Sequence, residues 1–344
     1  MKIPLYFFVL KSLSLTSINL NNNHIRFLSE DAFRPLNKLV SLKMANKLIG
    51  SVPLNLSRLL VDKHSLATLD LSWSRIVYVS TNDTFFKSLR TVRLEGASFS
   101  SKPGHAWLRP FLSANTLSLD LSSVSSDMSQ NWTKEDLQMF DSLLKVNTFE
   151  LRHCHLTTMD SIDFASFANL IKLDLSHNDL SSVSLDAGLL SSLEHLDLSH
   201  NQISFLNESA FLEPGGLMRP LKYFNLESNR IFLVSKYFYN FANLNIVRFS
   251  DNHLQSYPFF DFANDDKLPS TLSVNNYEFY FNKNEIKTIK KLSFWAYKMI
   301  VLNFDSNQIE TIETIAFRSL KQLENLSIAF NFLSLIGTDF SYIG

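Results

Sequence analysis

Leu173-Asp-Leu175-Ser-His-Asn178-Asp-Leu180 and, 23 residues later, Leu196-Asp-Leu198-Ser-His-Asn201-Gln-Ile203 are two near-copies of one sentence, Leu-x-x-Leu-x-Leu-x-x-Asn-x-Leu. Alternation in Leu-x-Leu puts both apolar side chains on one face of a short strand and the intervening residue on the other. Asn three places further on ends the strand, and a buried Asn amide can satisfy backbone groups of adjacent turns. Taking the second Leu of Leu-x-Leu as marker, an apolar residue recurs at Leu20, Met44, Leu71, Leu94, Leu121, Leu151, Leu175, Leu198, Leu226, Phe249, Phe281, Phe304 and Ile328, mostly 23 to 28 residues apart. Repeats of this length bury their apolar face only by stacking on their neighbours, so the expected architecture is a solenoid with one parallel sheet.

The pattern resembles the leucine-rich repeat. The expected fold is α/β: a curved horseshoe with a parallel sheet on the concave face and an irregular or short-helical convex side, residues 1–344 forming a single array of about thirteen repeats. Ala32-Phe33, Ala210-Phe211 and Ala316-Phe317 place a Phe behind the sheet in several repeats, and with these the chain is similar to the animal extracellular class found in Toll-like receptor ectodomains and adhesion proteins. The irregular repeat lengths favour the Toll-like resemblance. It implies a ligand-binding ectodomain, extracellular or lumenal, taking a protein or pathogen-derived ligand and able to pair as a receptor dimer. The alternative is a cell-adhesion or matrix repeat protein without a signalling role. Extracellular relatives usually close both ends with cysteine-rich caps, so a chain without them is expected to be a fragment of a longer protein.

The ladder position is held by Asn23, Asn178, Asn201, Asn229, Asn252, Asn284, Asn307 and Asn331, and by Cys154 in Leu151-Arg-His-Cys154, where a structural thiol is expected. Ser74, Ala97 and Val124 hold it in three consecutive early repeats, which predicts a weakened ladder there. Ser123 to Val146 and Gln255 to Asn275 lengthen their repeats and are expected to leave the stack as surface excursions.

Formal charge is −1, from 32 Lys+Arg against 33 Asp+Glu, so bulk electrostatics do not favour nucleic acid and any such binding needs a local patch. One cysteine allows no intrachain disulfide and no cysteine-based zinc or redox motif. With eight glycines and no P-loop, Gly-x-Gly-x-x-Gly, Gly-x-Ser-x-Gly or His-Glu-x-x-His, neither catalysis, cofactor nor metal is expected. No apolar run is long enough to span a bilayer. Met1-Lys2 with Ile3 to Leu10 fits either a signal-peptide remnant or a strand of an incomplete first repeat.

The expected contact surface is the outward residue of successive strands, Asp174, Asp197, Asn225 and Arg248, with His195 and Tyr223 beside them. Asp120, Glu150, Asp174 and Asp197 would set carboxylates about 5 Å apart in a row, either as plain repeat consensus or as an acidic strip that would repel phosphate. His153, His155, His177, His195 and His200 cluster near this face, either by chance exposure or as a pH-sensitive contact surface. Trp73, Tyr223, Tyr280 and Phe330 are candidate aromatic anchors. Sequons at Asn55, Asn82, Asn131, Asn207 and Asn325 are possible glycosylation sites, in a number that chance would also give.

Overall fold

The computed structural model describes residues 14–23, 25, 28–45, 54–79, 84–99, 106–112, 115–126, 132, 134–142, 144–158, 167–183, 192–206, 220–234, 243–257, 277–290, 299–314, 316–317, 320 and 322–334. The chain divides into two compact units, one of residues 1–156 with 161–173, the other of 157–160 with 174–344. Both are leucine-rich repeat solenoids.

In the first unit the strands Ser17–Asn19, Ser41–Lys43, Thr68–Asp70, Thr91–Arg93, Ser118–Asp120 and Thr148–Glu150 pair in parallel, residue for residue. In the second, His195–Asp197, Tyr223–Asn225, Ile246–Arg248, Tyr277–Tyr280, Met299–Asn303 and Asn325–Ser327 do the same, with one register shift at Tyr277/Glu278. The strand Lys172–Asp174 carries the division between the units. Strands are short because only the Leu-x-Leu core is period-two; the residues before and after it already turn.

Each unit buries the column its alternation predicts. Leu42, Leu69, Val92, Leu119 and Phe149 sit fully buried in the first unit, and the marker residues Leu175, Leu198, Leu226, Phe249 and Phe304 are equally enclosed in the second. Phe33 and Phe317 of the Ala-Phe pairs are buried as expected, joined by Phe86, Phe111, Phe140 and Phe167; Phe211 lies outside the described residues. In the second unit the late markers are rings: Phe281 stacks on Phe249 at 5.8 Å and on Phe304 at 5.5 Å.

The residue before the ladder position is left-handed in repeat after repeat: Trp73, Gly96, Ser123 and His153 in the first unit, and His177, His200, Ser228, Asp251, Lys283, Ser306 and Phe330 in the second, all at φ between 53° and 63°. That turn aims each N–H at the next repeat, as in His177 to the Ser199 carbonyl at 2.9 Å and Ser228 to the Ser250 carbonyl at 2.9 Å. The strain of a left-handed non-glycine residue is thus offset by a backbone bond to the next repeat at Trp73, Ser123, His177, His200, Ser228, Asp251, Lys283 and Ser306. Gly96 has a second reason to lack a side chain, because a Cβ there would lie 2.3 Å from the Trp73 ring.

Where Ser74, Ala97 and Val124 replace the ladder Asn, the backbone takes over. Their N–H groups close onto the marker carbonyls of Leu71, Leu94 and Leu121 at 3.1, 2.9 and 3.2 Å. The residues that follow then pair as a second parallel sheet, Leu54–Asn55, Arg75–Tyr78, Ser98–Phe99 and Ser125–Ser126. The Asn ladder is absent from these repeats, and direct strand pairing supplies backbone bonds in its place.

Part of the connection Ser123 to Val146 packs inward. Its described residues 134–142 form a helix Lys134–Gln138 and a following 3₁₀ turn, with Leu137 and Phe140 buried and Phe140 edge-on to Phe149 at 5.0 Å. They pack as the back wall of their repeat, and residues 127–131 of the connection lie outside the described residues. Pro258, Pro269 and the acidic pair Asp265-Asp266 of the other long connection lie outside the described residues, as do Asn82, Asn131 and Asn207. Asn55 caps the short helix Leu56–Leu59 through its side chain, and Asn325 is exposed on its strand. Among the described residues no helix is long and apolar enough to cross a membrane.

Candidate recognition surface

The ladder amides fix the register on which any surface is built. In the second unit the Asn201 amide nitrogen donates to the Leu175, Leu198 and Ser199 carbonyls at 3.0, 3.0 and 3.1 Å, while its oxygen accepts the Leu180 N–H at 3.0 Å. Asn229, Asn252, Asn284, Asn307 and Asn331 repeat the arrangement, their oxygens taking the N–H of Ile203, Ile231, Leu254, Ile286 and Ile309, and Asn178 donates to the Leu175 carbonyl at 2.9 Å. Asn23 makes the same bond to Leu20 at 3.0 Å in a more exposed turn.

Cys154 sits in this place in the first unit, its Sγ 3.4 Å from the Leu121 carbonyl and 3.3 Å from that of Arg152. Burial pushes its thiol up to about 12, so it stays protonated and unreactive at neutral pH. His153 and His155 flank it but are exposed, and among the described residues no group of three or more His, Cys, Asp or Glu is placed to hold a metal ion. A folded value above the ordinary one of about 9 means the thiol adds stability below that pH and loses it as the pH rises toward 12. Native Cys154 is therefore expected to resist alkylation at pH 8 until the chain is unfolded, and the unfolding free energy of wild type should fall more steeply between pH 9 and 11 than that of Cys154→Ala. Rapid labelling of the native chain would place the thiol at the surface.

On the open face of the second unit, register puts Asp197, Asn225, Arg248, Tyr280, Asn303 and Ser327 on one line, and His195, Tyr223, Ile246, Glu278 and Val301 on the next. The predicted residues are adjacent, yet they are not equally available. Asp174 and Asn225 are only 9% and 7% exposed. Asp174 Oδ1 accepts from the Ser176 N–H and hydroxyl at 3.1 and 2.7 Å, Asp197 from those of Ser199 at 2.9 and 2.7 Å, and Asn225 from the Glu227 N–H at 3.1 Å. Asp120 does the same with the Ser122 N–H, while Glu150 pairs with Lys172 at 2.7 Å. The Leu-Asp-Leu-Ser consensus is therefore an Asx turn that bends the chain out of the strand, and the row of carboxylates is spent on the fold. Asn225 further donates to Asp197 at 3.1 Å.

The groups left to a partner are the larger ones. Arg248 lies over the Tyr280 ring, 4.5 Å from its centre, a cation–π contact. Tyr280 donates to Glu278 at 2.9 Å, and burial with the neighbouring Glu278 carboxylate raises its hydroxyl. Tyr223 is half-buried between His195, ring to ring at 5.9 Å, and Arg248; burial and the Asp197 charge raise its hydroxyl while Arg248 pulls it down. Beside them His177 and His200 stack at 4.1 Å, both exposed, from successive left-handed turns. Sequence reading names Tyr280 as an aromatic anchor but leaves it and Glu278 off the strip, although the period that reaches Arg248 reaches Tyr280 on the next strand. Trp73 stands over Gly96, and Phe330 is 85% exposed.

The leucine rich repeat family profile matches residues 144–203 and 168–231. No curated protein matches the chain by sequence. Among solved structures, the functional domain of InlJ from Listeria monocytogenes is similar with a TM-score of 0.63 at 13% identity, over 96% of this chain and 67% of that one. Toll in the Drosophila Toll–Spatzle complex gives 0.62 at 16% identity, over 92% of this chain and 44% of that one. The Listeria monocytogenes internalin InlF gives 0.54 at 18%, over 96% and 86%. At these identities the likeness establishes the fold, which bacterial and animal proteins share.

Proposed function

We propose that this leucine-rich repeat chain is a non-catalytic recognition ectodomain of the Toll-like class, displayed outside the cell or in a lumenal compartment, and that it binds a protein or pathogen-derived ligand through the open sheet face of its second unit. The observation that carries this is the ordered cluster Tyr223, Arg248 and Tyr280. Tyr and Arg dominate interface hot spots, and here they are already packed together, so little side-chain freedom is lost on binding. The Ala-Phe repeat class supports the Toll-like part of the proposal. So does a fold shared with Drosophila Toll, which was solved in complex with Spatzle.

Replacing Tyr223 and Arg248 together by Ala is expected to lower affinity for the ligand captured by the wild-type ectodomain at least tenfold, with each change altering stability by about 1 kcal/mol or less. Asp197→Ala is expected to behave in the opposite way, costing about 1–2 kcal/mol through its lost turn bonds while leaving affinity within threefold. Isothermal titration and urea unfolding on the same samples separate the two. Unchanged affinity in the Tyr223/Arg248 variant would remove the site from this face. A full-length transcript lacking a membrane span followed by a Toll/interleukin-1 receptor domain would leave recognition standing but remove the Toll-like assignment.

A further inference from the structure

A basic groove lies in the first unit, at the end of the sheet where the chain enters each strand. It encloses about 770 Å³ and is lined by His64, Lys87, Arg90 and Lys145 over a floor that includes Val40 and Leu117. No carboxylate and no Phe, Tyr or Trp is among the described residues that line it. Among the described residues Lys87 and Arg90 are exposed and form no ion pair, and Lys145 bonds the Asn115 side chain at 3.1 Å. The rim is tied from turn to turn, Ser88 donating to the His64 carbonyl and Asn115 to that of Lys87. In a chain of net charge −1, Lys87, Arg90 and Lys145 gathered in one groove produce a local field that the bulk composition conceals.

The strand residues directly inside this rim are all hydroxylic. Ser17, Ser41, Thr68, Thr91, Ser118 and Thr148 stand opposite one another in register across six strands, one per strand spacing of about 4.8 Å. Their neighbours along each strand, Leu42, Leu69, Val92 and Leu119, are buried, so the hydroxyls look out from the open face. Lys87 and Arg90 precede the strand at Thr91 and Lys145 precedes the strand at Thr148, two spacings or about 10 Å away.

From this arrangement we infer that the groove and the adjoining hydroxyl row bind a sulfated oligosaccharide, a partner class separate from the ligand of the second unit. The cations answer the sulfates. The hydroxyls, each both donor and acceptor, answer the ring hydroxyls between them. A single-stranded nucleic acid would also meet the charge, but it adds affinity by stacking bases on aromatic side chains, and none is among the described residues that line the groove. The inference does not depend on the Tyr223, Arg248 and Tyr280 cluster, and the two can fail separately.

The test is titration of the whole chain with a heparin-derived oligosaccharide, the same oligosaccharide after desulfation, and a single-stranded DNA oligonucleotide of similar length. The sulfated probe is expected to bind at least tenfold more tightly than either of the others, and to weaken as salt rises. Lys87→Gln/Arg90→Gln/Lys145→Gln should lose at least tenfold in affinity and much of that salt dependence, and these exposed changes leave the fold intact. Thr91→Val/Ser118→Ala should lose threefold to tenfold with the salt dependence kept, a result that a purely electrostatic patch would not give. Absence of binding, equal binding by the triple variant, or tighter binding of the oligonucleotide through the same residues would each overturn the assignment.

Discussion

Asn201→Ala is expected to destabilise the second unit by about 2–3 kcal/mol. The figure follows from counting which groups are orphaned. The Leu175 carbonyl keeps Asn178, at 2.9 Å, and the Leu198 carbonyl keeps Asn229, at 2.9 Å; the Ser199 carbonyl keeps the His177 N–H at 2.9 Å. What loses its partner is the Leu180 N–H, buried behind the strand, whose bond to Asn201 Oδ1 is 3.0 Å. One buried, unpaired donor costs about 1–3 kcal/mol, and the emptied volume of the amide adds to it. Ser74→Ala, at the same repeat position in the first unit, should cost nothing and even gain up to about 1 kcal/mol, because Ser74 Oγ is buried without a hydrogen-bond partner. Urea unfolding of the two variants beside wild type decides the matter. A change below about 0.5 kcal/mol in Asn201→Ala would mean that the ladder follows the fold without supporting it.

That contrast also marks how far the sequence could be read. Leu-x-x-Leu-x-Leu-x-x-Asn has a period and a polarity that admit one arrangement of core and sheet, so the strands and their register were legible from residues 173 to 203 alone. The function of the Asp in Leu-Asp-Leu-Ser was not, because strand alternation says only that Asp197 points outward. That its carboxylate then folds back onto Ser199 is a property of the turn. The second sheet beginning at Arg75, Ser98 and Ser125 was hidden for a related reason. A missing Asn reads as a deficit until the chain is seen to pair its own backbone instead. In the contact cluster, Tyr223 and Arg248 could be found by counting, whereas the weight of Tyr280 depends on the Arg248 side chain lying across it. The basic groove is the least legible feature: Lys87, Arg90 and Lys145 stand at irregular distances in the chain, and only stacking of repeats of unequal length brings them to one rim.

The largest loss is expected from Phe281→Ala, about 4 kcal/mol, with Phe281→Leu costing about 1–2 kcal/mol. Most markers in this chain are Leu, and a Leu column packs by methyl groups that can shift to fill small gaps. Phe249, Phe281 and Phe304 instead form a column of nearly parallel rings, at 6° and 14° between planes, with Phe281 in the middle. Tyr257 and Phe279 approach the same ring at 6.0 Å each, and Tyr257 is itself held by a hydrogen bond to the Lys290 carbonyl at 3.1 Å. Deleting Phe281 therefore removes apolar area and four ring contacts together, and rigid rings collapse poorly into the space. Leu restores much of the volume but no ring geometry, which sets the smaller cost. Because each repeat relies chiefly on its neighbours, the effect should centre on that column. Native-state hydrogen exchange should show the amides of Phe281, Phe304 and Ile309 opening at lower free energy, while those of Leu198 and Ile203 change little. Equal loss of protection at Leu198 would show instead that the second unit opens as one cooperative block.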